Sequence, residues 1–542
     1  MYIGLDFGTL SVRAVLVRDD GTVLSSEVCE YPHGVMSGAL ADGTPLPEGY
    51  ALADPRDYLV CMKEAVRGAV KKAGAAPEDI AGIGLDAANS SILPCRSDGS
   101  PMLSASETNA DKRWDSCPHA YIKLWKHHGA KQQIRQIEAL YHTGGLPVLK
   151  RYGGSCSYVQ GIQKLLETYE EAPELFAAAD RFCEVGDWIA WNLTGHPVAS
   201  IYYLGFNNMW ARDLGYPARD DLDRLASGFG QALYDKFFLP PSGFETPCGF
   251  LSEKAAEELG LLPGTPVATP MGDGNITGLV FCGKHPHAIV SVLGTSVGTS
   301  FVMDRLVPMS GINGVVQDGY LAGKACYDAG SPCMGDMLGW FINMQVPASY
   351  TDAANRAHVN VHQYLTELAE SKEPWDNPLT VLDWWNGSRS ILNDPRLRGC
   401  VAGFSLTTRP EDVYGAMIQG CACSYRKALE HFEAQGAKFD EVILCGGIAQ
   451  KNAFAVGQFA SILNRAVLVP EWKESVAVGS AILIQKAVEN GRSSIEEALN
   501  RHFRAVRPDN AHRAQYEALY NRWRAFHDLM AANRWILEPS SQ

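Results

Sequence analysis

Two glycine-bearing turns of the same make, about half a chain apart, constrain this sequence more than any other feature. The first is Gly4-Leu5-Asp6-Phe7-Gly8-Thr9-Leu10-Ser11-Val12-Arg13, with β-prone Tyr2-Ile3 before it and Ala14-Val15-Leu16-Val17 after it. Short apolar runs on both sides of a glycine turn predict a β-hairpin. The second is Gly294-Thr295-Ser296, between Ala288-Ile289-Val290-Ser291-Val292-Leu293 and Val297-Gly298-Thr299-Ser300-Phe301-Val302. The order of parts is the same: β-prone run, Gly-Thr turn, hydroxyl, β-prone run. A chain of 542 residues exceeds what one hydrophobic core serves. A repeat at half its length predicts two domains built on one plan.

Such a turn gathers backbone N–H groups, hydroxyls and, in the first copy, the Asp6 carboxylate. That combination suits a phosphate held by N–H groups beside a Mg²⁺ that Asp6 holds directly or through water. Either turn alone reads equally well as an ordinary hairpin; the pair is what carries weight.

The remaining pattern is α/β. Residues 55–73 place Leu59, Met62, Val66 and Val70 at helical spacing, with Asp54 as N-cap and Gly74 as stop. A strand follows at residues 80–86, ending in Asp86. Residues 114–194 read as mostly helical, and residues 201–244 as an irregular, aromatic-rich cap. The run Pro266-Val267-Ala268-Thr269-Pro270-Met271-Gly272 ends in Asp273-Gly274, after which a helix starts at Ile276. The second half repeats the rhythm: helix 412–435, strand 441–445 running into Gly446-Gly447, helix 452–463, strand 466–469, helix 476–489, and an amphipathic helical tail from His502.

Composition excludes several classes. A net charge of -14 repels nucleic acid and anionic membranes. The 14 cysteines form no C-x-x-C pair, so reduced thiols and a cytoplasmic setting are expected rather than a zinc site or a disulfide framework. No secretory leader and no apolar run of membrane-spanning length is read. A Walker P-loop is absent. Gly294-Thr295-Ser296-Val297-Gly298 spells a nucleophile elbow, with His362, His431 and His502 downstream. An elbow needs a helix directly after its serine, whereas residues 299–303 read as strand. Phosphoryl transfer fits better, since it asks for in-line positioning, a metal and an acceptor for the attacking hydroxyl's proton.

Taken together these motifs resemble the FGGY carbohydrate kinase family. The resemblance is carried by Gly4-Leu5-Asp6-Phe7-Gly8, Gly82-Ile83-Gly84 with Asp86, Arg151-Tyr152-Gly153-Gly154, Asp187-Trp188, Gly294-Thr295-Ser296, Gly335-Asp336, Asp383-Trp384-Trp385-Asn386-Gly387, Gly446-Gly447 and Asn452, in order along nearly the whole chain. It implies two actin-like ATPase (ribonuclease H-like) α/β domains with an interdomain cleft. The expected boundaries are 1–283 for the sugar-binding domain with the catalytic aspartate, and 284–542 for the nucleotide-binding domain with its helical tail. It implies transfer of the γ-phosphoryl of ATP, with Mg²⁺, to a hydroxyl of a small ketopentose-like sugar. It places Asp273 as general base and Asp6 on the metal. Thr9, Ser11, Arg13 and the 294–296 turn fall around the phosphates, and Gly335, Gly446, Gly447 and Asn452 on the adenosine side. Asp86, Asn207, Asp273 and Asp328 fall on the sugar. A homodimer is left open as the one protein partnership.

The chain also departs from the family pattern. Asp273 stands five residues before Gly278 where the family keeps four, so the turn at Gly274 must absorb one residue. Asn207 replaces a sugar-binding lysine, and Asp328 a glutamate. Trp125, Tyr152 and Tyr203 are candidates to flank a sugar, with a core role preferred for each. A nucleotide-binding relative that has lost transfer, or a kinase for another ketose or polyol, are the competing readings.

Overall fold

The computed structural model describes residues 1–104, 112–158, 160–472 and 475–537. Two mixed sheets dominate it. The first runs in the order Val23–Glu30, Ser11–Val17, Tyr2–Phe7, Gly82–Ala87, Pro266–Val267, Gly249–Phe250, with Met271–Gly272 also pairing Gly82–Ala87. In the second, Gly314–Gln317 is followed by Ala325–Ser331, Val297–Met303, Ala288–Leu293, Glu441–Cys445, Val467–Pro470 and Phe503–Val506. Beyond the extra edge strand the two sheets share one plan. Three antiparallel strands are followed by two parallel ones and an antiparallel edge. The two glycine turns occupy the same place in each, joining the first and second strands.

The helix Pro55–Ala73 begins at Asp54, whose side chain accepts from the Arg56 N–H, and ends at Gly74 with φ 65. It crosses from the third strand to the fourth, as Pro410–Ala434 does in the second half. The helices that follow the last parallel strands serve the junction. Ser475–Val488 packs on Tyr2–Phe7 and Gly82–Ala87 of the first sheet, and Ile276–Cys282 on Ala288–Leu293 and Val297–Met303 of the second. Gly4 and Gly84 make that approach possible, because a Cβ at either would collide with the carbonyl oxygen of Ala477 or Ser480. Gly479 lets the two helices meet, since its Cβ would stand 2.7 Å from Ile276 Cγ1. A separate apolar cluster fills this junction, distinct from the cores of the two sheets and of the cap.

Three readings change. Residues 201–244 are not irregular: they hold the helices Ile201–Asn207, Arg219–Leu225 and Phe229–Lys236. The expected helical stretch 114–194 also supplies strands, Ile122–Lys123 and Arg181–Glu184. These join Leu52–Ala53 and Ile92–Cys95 in a small four-stranded sheet. The tail from His502 opens with the strand Phe503–Val506 before its helix, Arg513–Ala532. Strands of two to four residues carry too little alternation to stand out in a sequence; tertiary pairing makes them. All fourteen cysteines are unpaired. Among the described residues no helix is long and apolar enough to cross a membrane.

Candidate active site

Between the two halves lies a cavity of about 330 Å³ whose walls come from both. From the first half it takes Asp6 and Thr9, Asn89, Trp125, Gln160, Tyr202, Phe206, Asn207, Asp273 and Gly274. The second half contributes Val292, the turn Gly294-Thr295-Ser296, Gly298, Asn313, Asp328, Arg389 and Val476.

Both turns are braced. In the first, the Gly8 N–H donates to the Ser11 carbonyl at 3.0 Å, and Trp125 Nε1 donates to Thr9 Oγ1 at 3.1 Å. Within the second, the Gly294 N–H donates to Ser296 O at 3.0 Å. From outside it, the N–H groups of Met334, Gly335 and Asp336 reach the carbonyls of Thr295, Gly294 and Thr295 at 2.8, 3.0 and 3.2 Å. Gly335 therefore supports the turn from behind and does not line the cavity. A Cβ there would stand 2.7 Å from Gly294 O. A strand, Val297–Met303, follows Ser296, so the nucleophile-elbow geometry is absent.

Asp273 emerges where Met271–Gly272 runs beside Asp86 and Ala87. The 3₁₀ turn Asp273–Asn275 leads directly into the helix Ile276–Cys282, and Asp273 lines the cavity. Burial and the neighbouring Asp6 carboxylate push the Asp273 carboxyl up to about 7. Asp6 and Asp86 lie side by side at the same register of adjacent parallel strands. Asp86 is fully buried beneath the cavity rather than on its wall. There it accepts from Ser480 Oγ at 2.5 Å, and burial holds its carboxyl well above the usual range. Among the described residues no group of three or more carboxylate, His or Cys side chains is placed to hold a metal ion, so a Mg²⁺ here would take Asp6 as a single carboxylate ligand and keep waters and phosphate oxygens as its others.

On the opposite side Asp328 is held by Asn275 Nδ2 at 3.0 Å and Asn313 Nδ2 at 2.9 Å. Burial raises its carboxyl, partly offset by Asn313 and the Arg389 guanidinium. Asn207 lines the cavity, and its Nδ2 lies 3.4 Å from Glu184 Oε1.

Other expected residues stand outside the cavity lining. Ser11 and Arg13 sit on the second hairpin strand, with Arg13 opposite Asp6. Gly446, at φ 89, turns the chain at the end of Glu441–Cys445. A Cβ there would lie 2.7 Å from Leu293 O, so it abuts the second turn; Gly447 next to it is exposed. Asn452 caps the helix Ala453–Leu463 by accepting from the Ala455 N–H and donates to Thr366 Oγ1 at 3.2 Å. Of the three aromatics, Trp125 lines the cavity. Tyr152 and Tyr203 are core residues, donating to the carbonyls of Gly205 and Met271. Asn89, Gln160, Asn313 and Arg389 were not foreseen. Arg389 lies two residues past the Asn386-Gly387 motif, the nearest signal in the sequence.

A cleft between two copies of one α/β plan defines a phosphotransferase of the two-domain, actin-like ATPase fold. On one wall it has the glycine turn Gly294-Thr295-Ser296, and on the other Asp273. The models for the N-terminal and C-terminal domains of the FGGY family of carbohydrate kinases match residues 1–210 and 289–487. The chain belongs to this family and is an ATP-dependent sugar kinase. It is 33% identical to a ribulokinase of Geobacillus thermodenitrificans over 537 residues, 97% of this chain and 94% of the relative. It is 35% identical to a ribulokinase of Mycolicibacterium smegmatis over 546 residues, 99% and 95% of the two chains. The fold is that of a xylulose kinase from Rhodospirillum rubrum, with TM-score 0.76 at 18% identity over 97% of this chain and 98% of the other. A Plasmodium falciparum glycerol kinase solved with ADP gives 0.74 at 14% identity over 96% and 97%.

Proposed function

We propose that the chain transfers the γ-phosphoryl of ATP to a primary hydroxyl of a ketopentose, ribulose or a close relative, with Asp273 as general base. The observation that carries this is Asp273 itself, a carboxyl held near 7 in a cavity whose far wall is the 294–296 turn. A base whose proton affinity matches neutral pH takes a hydroxyl proton most effectively. The similarity to ribulokinases over nearly the whole chain supports the choice of sugar.

In this reading the backbone and hydroxyls of residues 294–296, with Thr9, hold the phosphates. Ser11, Arg13, Gly335, Gly446, Gly447 and Asn452 shape the nucleotide side from behind. Asn89, Asn207 and Asp328 take sugar hydroxyls, and Asp86 supports Asp6 and Asp273 from below. The acceptor oxygen attacks the γ-phosphorus, its proton passes to Asp273, and ADP departs. Asp6 would hold Mg²⁺, which when bound neutralises phosphate charge. Asn207 brings no charge to the sugar; Arg389 is the cation on that side, which seats the substrate through the second half of the chain. The division we propose is 1–283 for the acceptor side and 284–542 for the nucleotide side.

The test is ADP release from the purified protein with Mg²⁺ and ATP over a panel of pentuloses, hexuloses and polyols. Turnover dependent on one pentulose or a few supports the reading. ATP binding with no product from any acceptor refutes it.

A further inference from the structure

Behind the acceptor wall lie charged groups that the transfer step does not use. Lys164, on the helix Ile162–Glu171, is 1% exposed. Its Nζ donates to the main-chain oxygen of Ser90 and, at 2.8 Å, to that of Leu124. Each carbonyl belongs to the neighbour of a cavity residue, Asn89 in one case and Trp125 in the other. Ser90 is held at φ 52, a left-handed conformation that a serine keeps only when its surroundings enforce it.

Glu184, 2% exposed, accepts from Asn208 Nδ2 at 2.8 Å and from Asn207 Nδ2 at 3.4 Å; Asn207 is a third cavity residue. Glu184 pairs with Ile92 across the small sheet, and the next residue's N–H donates to Ser91 O at 2.7 Å. The 90–91 turn is thus gripped from two sides. The Gly161 N–H donates to Asn207 O at 2.8 Å, and Asn208 fills the space where a Gly161 side chain would go. Burial lowers Lys164 and raises Glu184, and the opposite charge of each favours the ionised form of the other. The adjacent Lys123 donates to Glu167 at 2.5 Å, to Thr168 Oγ1 at 2.7 Å and to the Lys164 carbonyl at 3.1 Å.

Burying an ammonium is expensive, and an apolar side chain of similar size would commonly serve the fold as well. What this ammonium does that a methionine could not is clamp the Ser90 and Leu124 carbonyls to one point, fixing the spacing of two segments that, among the described residues, the sheet joins only through the Ile92–Lys123 bridge. We propose that Lys164 and Glu184 are a positioning pair for the acceptor: the lysine ties the Asn89 turn to the Trp125 segment, the glutamate ties Asn207 to the same frame, and together they set which sugar the wall admits. The inference rests on the reading of this wall as the sugar side.

The experiment compares Lys164→Met, Lys164→Arg and Glu184→Gln in the full chain. Lys164→Met should raise KM for the acceptor by about tenfold or more and leave KM for ATP within about twofold. It should also narrow the kcat/KM ratio between the preferred sugar and its epimers. Lys164→Arg, which can still reach both carbonyls, should recover part of the loss. Glu184→Gln should shift acceptor KM in the same direction and by less, and stands in for the methionine variant if that variant does not fold. Hydrogen–deuterium exchange supplies a readout that needs no acceptor. Exchange should quicken in residues 87–92 and 122–126 and stay unchanged in residues 288–303. A folded variant with unchanged acceptor KM and unchanged exchange overturns the proposal. So does an equal rise in both KM values with exchange quickened throughout. If the wild type turns over no sugar, the functional reading fails, and the exchange pattern alone decides the role of Lys164.

Discussion

Asp273→Asn removes the proton acceptor while preserving the size of the side chain, and two separate magnitudes follow. The first is catalytic: a positioned general base contributes about 10²- to 10⁴-fold, or roughly 3 to 5 kcal/mol of barrier. Sugar-dependent kcat/KM should fall by that factor. ATP affinity should stay near wild type, because the 294–296 turn is braced by Met334, Gly335 and Asp336 and not by Asp273. The second is a gain in stability. The native carboxyl sits at about 7 against 3.8 for the ordinary group. Across that window the native state keeps a proton that the unfolded chain has released, so stability falls as pH rises through it and stays low above it. An asparagine carries no such penalty. The full linkage would be about 4 kcal/mol. The carboxyl opens onto the cleft, so solvent screening reduces this to roughly 1–2 kcal/mol. Thermal unfolding without metal or nucleotide should therefore show Asp273→Asn more stable than wild type at about pH 8 and equal to it near pH 4. Sugar-dependent turnover within about tenfold of wild type would remove Asp273 as base. Equal stability of the two proteins at both pH values would refute the account of its ionisation.

Three further outcomes follow from the same geometry. Sugar-dependent kcat/KM should climb about tenfold per pH unit on the acid side and level off once the base is ionised, with the midpoint below about 7 because Mg²⁺ at Asp6 offsets the neighbouring charge that helps raise Asp273; a profile flat across the acid range contradicts the assignment. Gly335→Ala places a Cβ 2.7 Å from Gly294 O. It should displace the second turn, raising KM for ATP by about tenfold with less effect on the sugar, as initial-rate kinetics would show. Gly84→Ala drives a Cβ into the Ser480 carbonyl and disturbs the Ser480–Asp86 hydrogen bond. Overpacking of that kind costs about 1–3 kcal/mol or more, so a lowered melting temperature together with lost activity is expected; a wild-type melting curve would show that the junction is not as tight as drawn.

Much of the fold was legible where the signal is local. Asp54 and Gly74 mark both ends of one helix because capping is decided within a turn of the chain. The strand Glu441–Cys445 stands out as an apolar run that stops at a glycine. The strands Leu52–Ala53 and Ile122–Lys123, two residues each, exist only because partners distant in sequence accept their hydrogen bonds. The helices within 201–244 were hidden by aromatics that serve two different cores, Tyr202, Tyr203 and Phe206 at the junction and Phe229, Phe237 and Phe238 in the cap. In the site, the glycine turns and Asp273 were readable because each carries its chemistry in consecutive residues. Asn89, Gln160, Asn313 and Arg389 were not, since a single polar residue in a loop looks the same whether it meets solvent or a substrate.

By itself the sequence determined that one plan is used twice, that each copy offers a glycine turn at the same place, and that an aspartate precedes the second copy. Tertiary structure alone decided which of these groups share a space. It put Asp86 under the cavity and Asp273 on its wall, although both are acids at strand ends. That difference arises because the helix Ser475–Val488, far along the chain, packs over Asp86 and supplies Ser480 as its partner. The 3₁₀ turn after Gly272 leaves Asp273 facing the cleft. Burial, and with it proton affinity, depends on what the rest of the chain lays over a residue, and that cannot be read from its neighbours in sequence.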